Sequence, residues 1–352
     1  MSEVASVQVI GAGLMGTSIA LGLHDHGIAL HIDDRDPDHV RIAVERGAGR
    51  AGRASNPDLV IVAVPPSEVV DAVLDALREW PEAVVTDVAS VKLPVAQAVA
   101  GQAGADRYVG SHPMSGRERS GPVAASARLC EGNPWVVVPL PETSEQSVRV
   151  LESVVELLGA WMPRRMDAAA HDRAVALVSH APQVISALMA ARLADAPSTH
   201  VELAGPGLRD VTRIAGSDSA LWVDILAANA GEVRAVLQDV YADLGRVVAE
   251  LDGDGSGIAG ILELGRAGTQ AIPSKHGDSP VEWATVYVVV PDQPRALEQM
   301  IVDAGQSGVN IEDLRIQHEL GRMAGVVEIS VVPDAASTLI DALVGRGWPA
   351  YL

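Results

Sequence analysis

The chain has 352 residues, one cysteine and a formal net charge of −20, a length that suits two or three domains with buried cores. The negative charge argues against nucleic acid and anionic membranes as partners. The single Cys130 excludes an internal disulfide framework and a cysteine-based zinc cluster, and it fits a reducing cytoplasm. The sequence shows neither a signal-peptide pattern nor an apolar run of ~20 residues, so we expect no membrane span.

The stretch 7–23 predicts a buried strand, a glycine-rich loop and a helix. In a dinucleotide-binding unit, Gly11 would allow the tight turn, Gly13 the approach of a pyrophosphate, and Gly16 the packing of helix against strand. The phosphates would lie at the helix N-terminus, where free N–H groups and the helix dipole favour negative charge. The loop residues predicted to bind the cofactor are Gly11, Gly13, Leu14, Met15 and Gly16.

A second predicted strand, 29–32, is followed by Asp33 and Asp34. An acidic residue ~20 positions after the glycine loop binds the ribose hydroxyls of NAD in such units. Asp34 therefore favours NAD, because its charge would repel a 2′-phosphate. The neighbouring Arg35 could accommodate that phosphate, so NADP stays open as an alternative cofactor.

Alternating strand and helix signals continue to residue 167 and predict a Rossmann domain over residues 1–167. A third apolar strand ends in Val64, Pro65 and Pro66, which we place on the ligand side of the sheet as cofactor-binding residues. The other predicted strands are 58–64, 83–87, 108–110, 135–139 and 160–165, and the other helices are 37–46, 67–80 and 142–158.

Helical periodicity without strand signals predicts an all-helical substrate and dimerisation domain with its linker over residues 168–280. Its first helix, 170–195, is apolar around most of its circumference, which indicates burial against other helices, often those of a second subunit. Further helices are predicted at 208–215, 219–228, 231–251 and 258–266, followed by a linker at 268–280.

Residues 281–352 predict a third domain with the element order βαββαβ, which is typical of a ferredoxin-like module. The fold class is thus α/β, with a Rossmann domain, an all-α domain and a C-terminal ferredoxin-like domain. The predicted strands are 283–290, 310–318, 325–332 and 348–352, and the helices are 295–304 and 335–345.

Two side chains follow neighbouring strands of the predicted Rossmann sheet. His112 lies at a strand end, where an imidazole is well placed as a general base; the alternative is a histidine that is hydrogen-bonded within a loop. Ser90 follows the strand 83–87 and could reach both nicotinamide and substrate. Considered alone, a serine at this position is more often a cap of the next helix. Ser115 and Gly116 are small residues that leave room for a ligand after His112.

Arg209 and Arg213 are four residues apart, which places them on one face of a predicted helix. Two guanidinium groups on one face of an acidic protein suggest a carboxylate receptor, although an ion pair with Asp210 or a solvated face would also explain them. Ser179 and Gln183 interrupt an otherwise apolar helix, and they require either a ligand or local partners around a kink at Pro182.

The ordered motifs resemble those of the prephenate dehydrogenase family, and the match spans nearly the whole chain. The C-terminal module resembles an ACT regulatory domain, with 292–294 and 308–311 in its ligand-loop positions. The segments that carry the resemblance are GAGLMG (11–16), TDVASVK (86–92), HPMSG (112–116), HD (171–172), SHAPQ (179–183), GPGLRDVTRIA (205–215) and IPSKH (272–276).

This resemblance implies an NAD-dependent oxidoreductase, a cytoplasmic homodimer, that converts prephenate to 4-hydroxyphenylpyruvate in tyrosine biosynthesis. His112 would take the proton of the C4 hydroxyl, Ser90 would orient that hydroxyl and the nicotinamide, and Arg213 would bind the ring carboxylate. No metal is needed, because the cofactor is the electron acceptor. The implied substrate-binding residues are Arg213, Arg209, Ser179, Gln183, Ser115 and Gly116. An amino acid would be the effector of the ACT domain.

The chain departs from the family pattern at Gln183, where a histidine is usual, at Arg209, where lysine is common, and at Arg295, where the ACT module usually has glycine. Arogenate and 4-amino-4-deoxyprephenate are therefore alternative substrates, although the neutral Gln183 favours the pyruvyl side chain of prephenate. A β-hydroxyacid dehydrogenase would require a helical-domain lysine, and residues 168–252 contain none. The alternative that is not an enzyme is a sensor that binds NAD and an amino acid without catalysing a reaction.

Overall fold

The computed structural model describes residues 4–117, 119–161, 165–253, 255–272, 283–318 and 324–352. The chain divides into two compact units, Met1–Ile258 and Ala259–Leu352. The first unit contains the predicted Rossmann and helical regions, and the second contains the C-terminal module.

Seven strands form the sheet of the first unit. They are β1 (Ser6–Ile10), β2 (Ala29–Asp33), β3 (Arg50–Ala51), β4 (Leu59–Val62), β5 (Val84–Asp87), β6 (Tyr108–Pro113) and β7 (Trp135–Pro139). Their order is β3-β2-β1-β4-β5-β6-β7, in which β1 to β6 are parallel and β7 is antiparallel to β6. In this doubly wound sheet the order of the strands changes direction between β1 and β4, although the two strands are parallel. Open α/β sheets bind their ligands at this position. The structure thus has a Rossmann-like sheet, as predicted.

Five helices flank this sheet, and an aliphatic core lies on each of its faces. They are α1 (Leu14–Leu23), α2 (Pro37–Glu45), α3 (Val69–Glu79), α4 (Leu93–Val99) and α5 (Glu145–Leu157). The predicted strand 160–165 is wrong as far as the structure describes it, because only isolated bridges at Trp161 and Arg165 are present and 162–164 lie outside the described residues.

The rest of the first unit is helical. Its helices are α6 (Ala168–Val175), α7 (Ala181–Ala191), α8 (Ser198–Val201), α9 (Pro206–Thr212), α10 (Ser219–Ala228) and α11 (Ala230–Glu250), and α12 (Ser256–Gln270) follows at the boundary of the units. The long helix predicted over 170–195 is interrupted, because Ala176–His180 forms a π-helical segment between α6 and α7. Pro182 explains this segment, since proline has no N–H and its ring would clash with a carbonyl of the preceding α-helical turn.

The helical stretch Ala168–Ala191 is long and apolar enough to cross a membrane, with a mean hydropathy of 1.5 over 18 residues. This finding corrects the expectation that no such stretch exists. One such helix is weak evidence of a membrane span, because core helices of globular proteins pass the same test. Five polar side chains are also buried along it, namely His171, Asp172, His180, Gln183 and Ser186.

The second unit contains a four-stranded antiparallel sheet with two helices. Its elements are β8 (Ala284–Pro291), α13 (Ala296–Gly305), β9 (Asp313–His318), β10 (Ala324–Val331), α14 (Ala336–Val344) and β11 (Ala350–Tyr351). The strand order β11-β8-β10-β9 is the arrangement that the βαββαβ pattern predicts for a ferredoxin-like module. Residues 273–282, which include most of the linker predicted over 268–280, lie outside the described residues.

Candidate active site

The glycine loop joins β1 to α1, and its three glycines meet different surroundings. Gly11 has a φ of +102°, and a β-carbon there would lie 2.4 Å from the carbonyl oxygen of Ala63. A β-carbon at Gly16 would lie 1.9 Å from the carbonyl oxygen of Gly11, whereas one at Gly13 would meet no atom within 4 Å. Gly11 and Gly16 therefore allow close packing, and Gly13 borders open space at the start of α1.

This open space has the properties of a phosphate site. The N-cap position of α1 is Gly13, so no side chain caps the helix, and the first turn contains no acidic residue. The free N–H groups of the first turn thus remain available to an anion. The surroundings of Gly13 fit the pyrophosphate of a dinucleotide.

Asp34 lies beside this loop, directly after β2. Its carboxylate accepts hydrogen bonds from the backbone N–H groups of Ala12, at 2.6 Å, and Asp36, at 2.9 Å. Arg35 forms an ion pair with Glu68 at 2.6 Å. Glu68 lies two residues after Pro66. Its carboxylate neutralises Arg35, the cation that was expected to attract a 2′-phosphate.

His112 lies near the end of β6, is only 9% exposed, and begins a chain of three side chains. Its Nδ1 lies 3.0 Å from Nε2 of His171, whose Nδ1 in turn lies 2.7 Å from Oδ1 of Asp172. Burial is the largest cause that lowers the pKa of His112 well below its ordinary value. His112 is therefore neutral near pH 7, the state that a proton acceptor requires.

Asp172 connects this chain to the loop after β5. Its two carboxylate oxygens accept the backbone N–H groups of Lys92 and Leu93, each at 2.8 Å. This carboxylate from α6 thus caps α4, although the two elements are about 80 residues apart in sequence. The capping interpretation of Ser90 is wrong for this reason: Asp172 occupies the position that a serine cap would fill.

Lys92 joins the ends of β5 and β6. Its buried ammonium group is paired with Asp87 and donates a hydrogen bond to the carbonyl oxygen of Ser111 at 2.7 Å. The hydroxyl of Tyr108 donates to the same Asp87 at 2.6 Å. Burial lowers the pKa of Lys92, and the charge of Asp87 opposes that shift. This network places the residue before His112 against the strand that carries the Ser90 loop.

Several buried polar atoms have no hydrogen-bond partner among the described residues. They include the hydroxyl of Ser90 and Nε2 of His180. Nδ1 of His180 lies 3.1 Å from the amide nitrogen of Asn229, an N–H donor, so the proton of a neutral His180 ring belongs on Nε2. Burial lowers the pKa of His180 to about 4. Buried polar groups normally have partners, so Ser90 and His180 indicate a polar ligand.

The structure places the other predicted substrate residues in two groups. Ser115 is half-buried beside the thiol of Cys130, and Gly116 is exposed. Ser179 is half-buried in the π-helical segment, and Gln183 is buried in α7. Ser115 and Gly116 follow His112 within four residues, and Ser179 and Gln183 lie on either side of His180 in the sequence.

Arg209 and Arg213 are both exposed. The α-helix predicted over 208–215 ends earlier, because α9 ends at Thr212 and Arg213, whose backbone is still right-handed helical, begins a 3₁₀ turn over Arg213–Gly216. This turn packs against α7, the helix that carries Gln183. The two arginines therefore lie near the helix of the SHAPQ motif and outside the His112 hydrogen-bond chain.

Five polar residues of this site were not among the predicted site residues. Two of them, His171 and Asp172, form a motif that the sequence does show, and two adjacent polar residues in an apolar helix are a signal for buried function. The contacts of the others join distant parts of the chain. The five residues are Lys92, His171, Asp172, His180 and Asn229.

Two family models match the chain. Residues 19–163 match the nucleotide-binding domain of prephenate dehydrogenase, and residues 167–256 match its dimerization domain. Together these two matches cover well over half of the chain.

Individual proteins agree with this assignment. "Probable prephenate dehydrogenase NovF" of Streptomyces niveus is 34% identical over 97% of this chain and 98% of its own length. The Aquifex aeolicus prephenate dehydrogenase, solved with hydroxyphenyl propionate and NAD⁺, has a TM-score of 0.66 and 25% identity over 76% of this chain and 98% of its own. A Synechocystis arogenate dehydrogenase has a TM-score of 0.60 and 27% identity over 76% of this chain and 97% of its own.

These matches define an oxidoreductase with a nucleotide-binding domain followed by a helical dimerisation domain. The chain belongs to the prephenate dehydrogenase family, whose members are NAD-dependent enzymes.

The glycine loop yields a matched pair of substitutions. Gly13→Ala adds a methyl group to open space, so the fold should persist with a loss of at most about 1 kcal/mol at the N-cap. The same methyl group would obstruct the pyrophosphate, so the Kd for NAD⁺ should rise about tenfold or more, an effect of at least ~1.4 kcal/mol. Calorimetric titration with NAD⁺ measures this change.

Gly16→Ala is the control, because its β-carbon would overlap the backbone of Gly11. This variant should lower the Tm as well as the affinity. A Gly13→Ala protein that binds NAD⁺ as tightly as the unmodified chain would contradict the proposed position of the pyrophosphate.

Proposed function

We propose that this chain catalyses the NAD-dependent oxidative decarboxylation of prephenate to 4-hydroxyphenylpyruvate. The observation that carries this proposal is a neutral, buried His112 at the ligand edge of a sheet that also bears a dinucleotide loop. A general base beside a nicotinamide site suits the oxidation of an alcohol. The family match narrows the alcohol to a cyclohexadienol.

His112 would accept the proton of the C4 hydroxyl through its Nε2. The unpartnered hydroxyl of Ser90, on the loop after the neighbouring strand, would form a hydrogen bond to the same substrate oxygen. The NAD⁺ cofactor supplies the hydride acceptor when bound, and the loss of CO₂ leaves an aromatic ring. The chain's own contribution is thus to orient the substrate hydroxyl and to receive its proton.

We assign the cofactor to the cleft between β1 and β4. Asp34 would bind the adenosine ribose, and the ion pair of Arg35 with Glu68 favours NAD over NADP. The residues proposed to hold the cofactor are Gly11, Gly13, Leu14, Met15, Gly16, Asp34, Arg35, Val64, Pro65, Pro66 and Ser90.

The substrate carboxylates require cationic or N–H partners. Arg213 would bind the ring carboxylate, with Arg209 nearby, because guanidinium groups bind carboxylates in a bidentate manner. The N–H at Nε2 of His180 is a second, buried donor. Gln183 offers a neutral amide to the substrate side chain, which suits the pyruvyl group of prephenate better than the ammonium group of arogenate. Ser179, Ser115 and Gly116 would complete the pocket.

We further propose the domain division 1–167, 168–280 and 281–352 and a cytoplasmic homodimer. The helical region presents exposed apolar side chains that a second copy would cover, as the dimerisation role of the matching family domain suggests. Examples are Leu188, Val223, Tyr241, Leu244 and Val248.

A substrate panel tests the proposed reaction directly. The full-length protein is mixed with prephenate, arogenate or 4-amino-4-deoxyprephenate, each with NAD⁺ or NADP⁺, and formation of reduced nicotinamide is followed by absorbance. We expect the highest kcat/KM with prephenate and NAD⁺. Preference for arogenate would refute the role given to Gln183, and no turnover with any pair would favour a sensor.

His112→Asn removes the proposed base while keeping a polar side chain of smaller volume. We expect kcat to fall by about 10²- to 10⁴-fold, the usual contribution of a general base, with little change in the KM for prephenate. The half-buried His39→Asn variant is the control and should retain full activity. Steady-state kinetics at saturating NAD⁺ provides the measurement, and an unchanged kcat would exclude His112 from proton transfer.

Arg213→Ala tests the carboxylate assignment. We expect the KM for prephenate to rise strongly, with a loss in kcat/KM that corresponds to about 2–5 kcal/mol for a broken, desolvated charge pair. Arg246, which pairs with Asp243 on the surface of α11, is a control position. An Arg213→Ala enzyme with the KM of the Arg246→Ala control would show that another group binds the carboxylate.

We propose that the C-terminal module is an ACT domain that binds an amino acid. Arg295, in the loop before α13, has a φ of +71°, and Gly308 has a φ of +76°, so both predicted ligand loops contain left-handed residues. Millimolar L-tyrosine or L-phenylalanine should lower kcat/KM in the full chain, and Asn310→Ala should remove this inhibition while basal kcat stays unchanged. Rates and a Tm that do not respond to any amino acid would argue against an effector site.

A further inference from the structure

Three buried side chains stand in a row between the helical region and the proposed base: Asp172, His171 and His112. The distances are 2.7 Å from Asp172 Oδ1 to His171 Nδ1 and 3.0 Å from His171 Nε2 to His112 Nδ1. The exposed fractions of these residues are 2%, 0% and 9%. Water is thus largely excluded from this row, so the polar atoms that face each other must form hydrogen bonds with one another.

The direction of these hydrogen bonds follows from the donors and acceptors available. Both oxygens of Asp172 already accept N–H groups, from Lys92 and Leu93, so its carboxylate acts as an acceptor toward His171 as well. His171 must then carry a proton on Nδ1. In a neutral ring this leaves a lone pair on Nε2, which accepts the Nδ1–H of His112.

We propose that His171 is a positioning residue that holds His112 in the tautomer with a free lone pair on Nε2, and that Asp172 in turn orients His171. This inference rests on the proposed function, in which His112 Nε2 accepts the substrate proton. With the bonds reversed, His112 would carry its proton on Nε2 and could not act as the base. A carboxylate that selects the working tautomer of a catalytic histidine is an established device in hydrolases; here a second histidine lies between the two.

The anchoring of Asp172 gives this row a fixed geometry. Besides capping α4 with its side chain, Asp172 accepts a hydrogen bond at its backbone carbonyl from Asn229 at 2.8 Å. At the other end, the carbonyl of Ser111, directly before His112, accepts a hydrogen bond from Lys92. The row is therefore held at both ends, and the only freedom left in it is the placement of the protons.

Two substitutions at His171 separate tautomer control from packing. In His171→Gln the amide oxygen can still accept the Nδ1–H of His112, whereas in His171→Met a side chain of similar length has no comparable acceptor. We expect His171→Met to lower kcat about 10²-fold or more, within the range of general-base catalysis, with little change in KM. His171→Gln should recover most of that loss.

Asp172→Asn provides a second route to the same question. Oδ1 of Asp172 accepts from both Lys92 and His171, and Oδ2 accepts from Leu93. An asparagine whose amide nitrogen takes the Oδ1 position would donate to His171 Nδ1, reverse both hydrogen bonds and place the proton of His112 on Nε2, whereas one whose nitrogen faces Leu93 would leave the row as it is. A loss of kcat up to about 10⁴-fold is the scale of such an error in hydrolase triads. The Tm and the Kd for NAD⁺ of each variant show whether the fold and the cofactor site persist.

A spectroscopic measurement tests the tautomer without turnover. In full-length protein labelled with ¹⁵N-histidine, the ring signals of His112 are identified by their loss in His112→Asn. We expect a protonated Nδ1 and an unprotonated Nε2 in the unmodified chain and in His171→Gln, and a changed pattern in His171→Met. In Asp172→Asn the same signals report which way the amide is oriented.

Three results would overturn this inference. They are a proton on Nε2 of His112 in the unmodified chain, full activity in His171→Met, or a folded His171→Gln that is no more active than His171→Met. A chain that turns over none of the substrates would instead refute the proposed function, and the nitrogen signals would still decide the tautomer.

Discussion

The carboxylate of Asp172 is the interaction on which the arrangement of the site depends. It leaves α6, caps the first turn of α4, and accepts the N–H of His171. Burying a carboxylate is costly unless several hydrogen bonds replace its hydration. Three N–H groups do so here, and they come from both regions of the first unit. The same contacts that satisfy the charge therefore determine where the Rossmann sheet meets the helices and where His112 lies.

The buried ion pair of Lys92 and Asp87 holds the ends of β5 and β6 together. Parallel strands β5 and β6 end at the same edge, and Lys92 reaches from one strand's loop to the carbonyl of Ser111 on the other. Loss of one partner of a buried pair leaves an uncompensated charge, at a cost of about 3–5 kcal/mol. The relative position of the Ser90 loop and His112 is thus set by electrostatics, in addition to the ladder hydrogen bonds of the sheet.

Much of this molecule could be predicted from local patterns. The glycine loop, the apolar strands and the βαββαβ order depend on neighbours in sequence, and the structure has all three. Patterns of this kind cannot show that Asp172 caps a helix 80 residues away, or that His171 meets His112. They also missed β3, because a strand of two residues has no alternation to detect. The π-helical segment escaped prediction because Pro182 was interpreted as a kink, without the wider turn that accommodates it.

The two arginines show a different limit. A spacing of four residues places them one helical turn apart, but it does not show that this segment packs against α7. Both side chains are exposed, whereas the row of Asp172, His171 and His112 is buried. Under the proposed function these groups would have separate roles: the buried row would prepare His112 to accept a proton, and the arginines, with Gln183, would select the acid that is bound beside it. Substitutions at Gln183 or Arg209 would then alter the substrate preference without disturbing the hydrogen bonds that prepare His112.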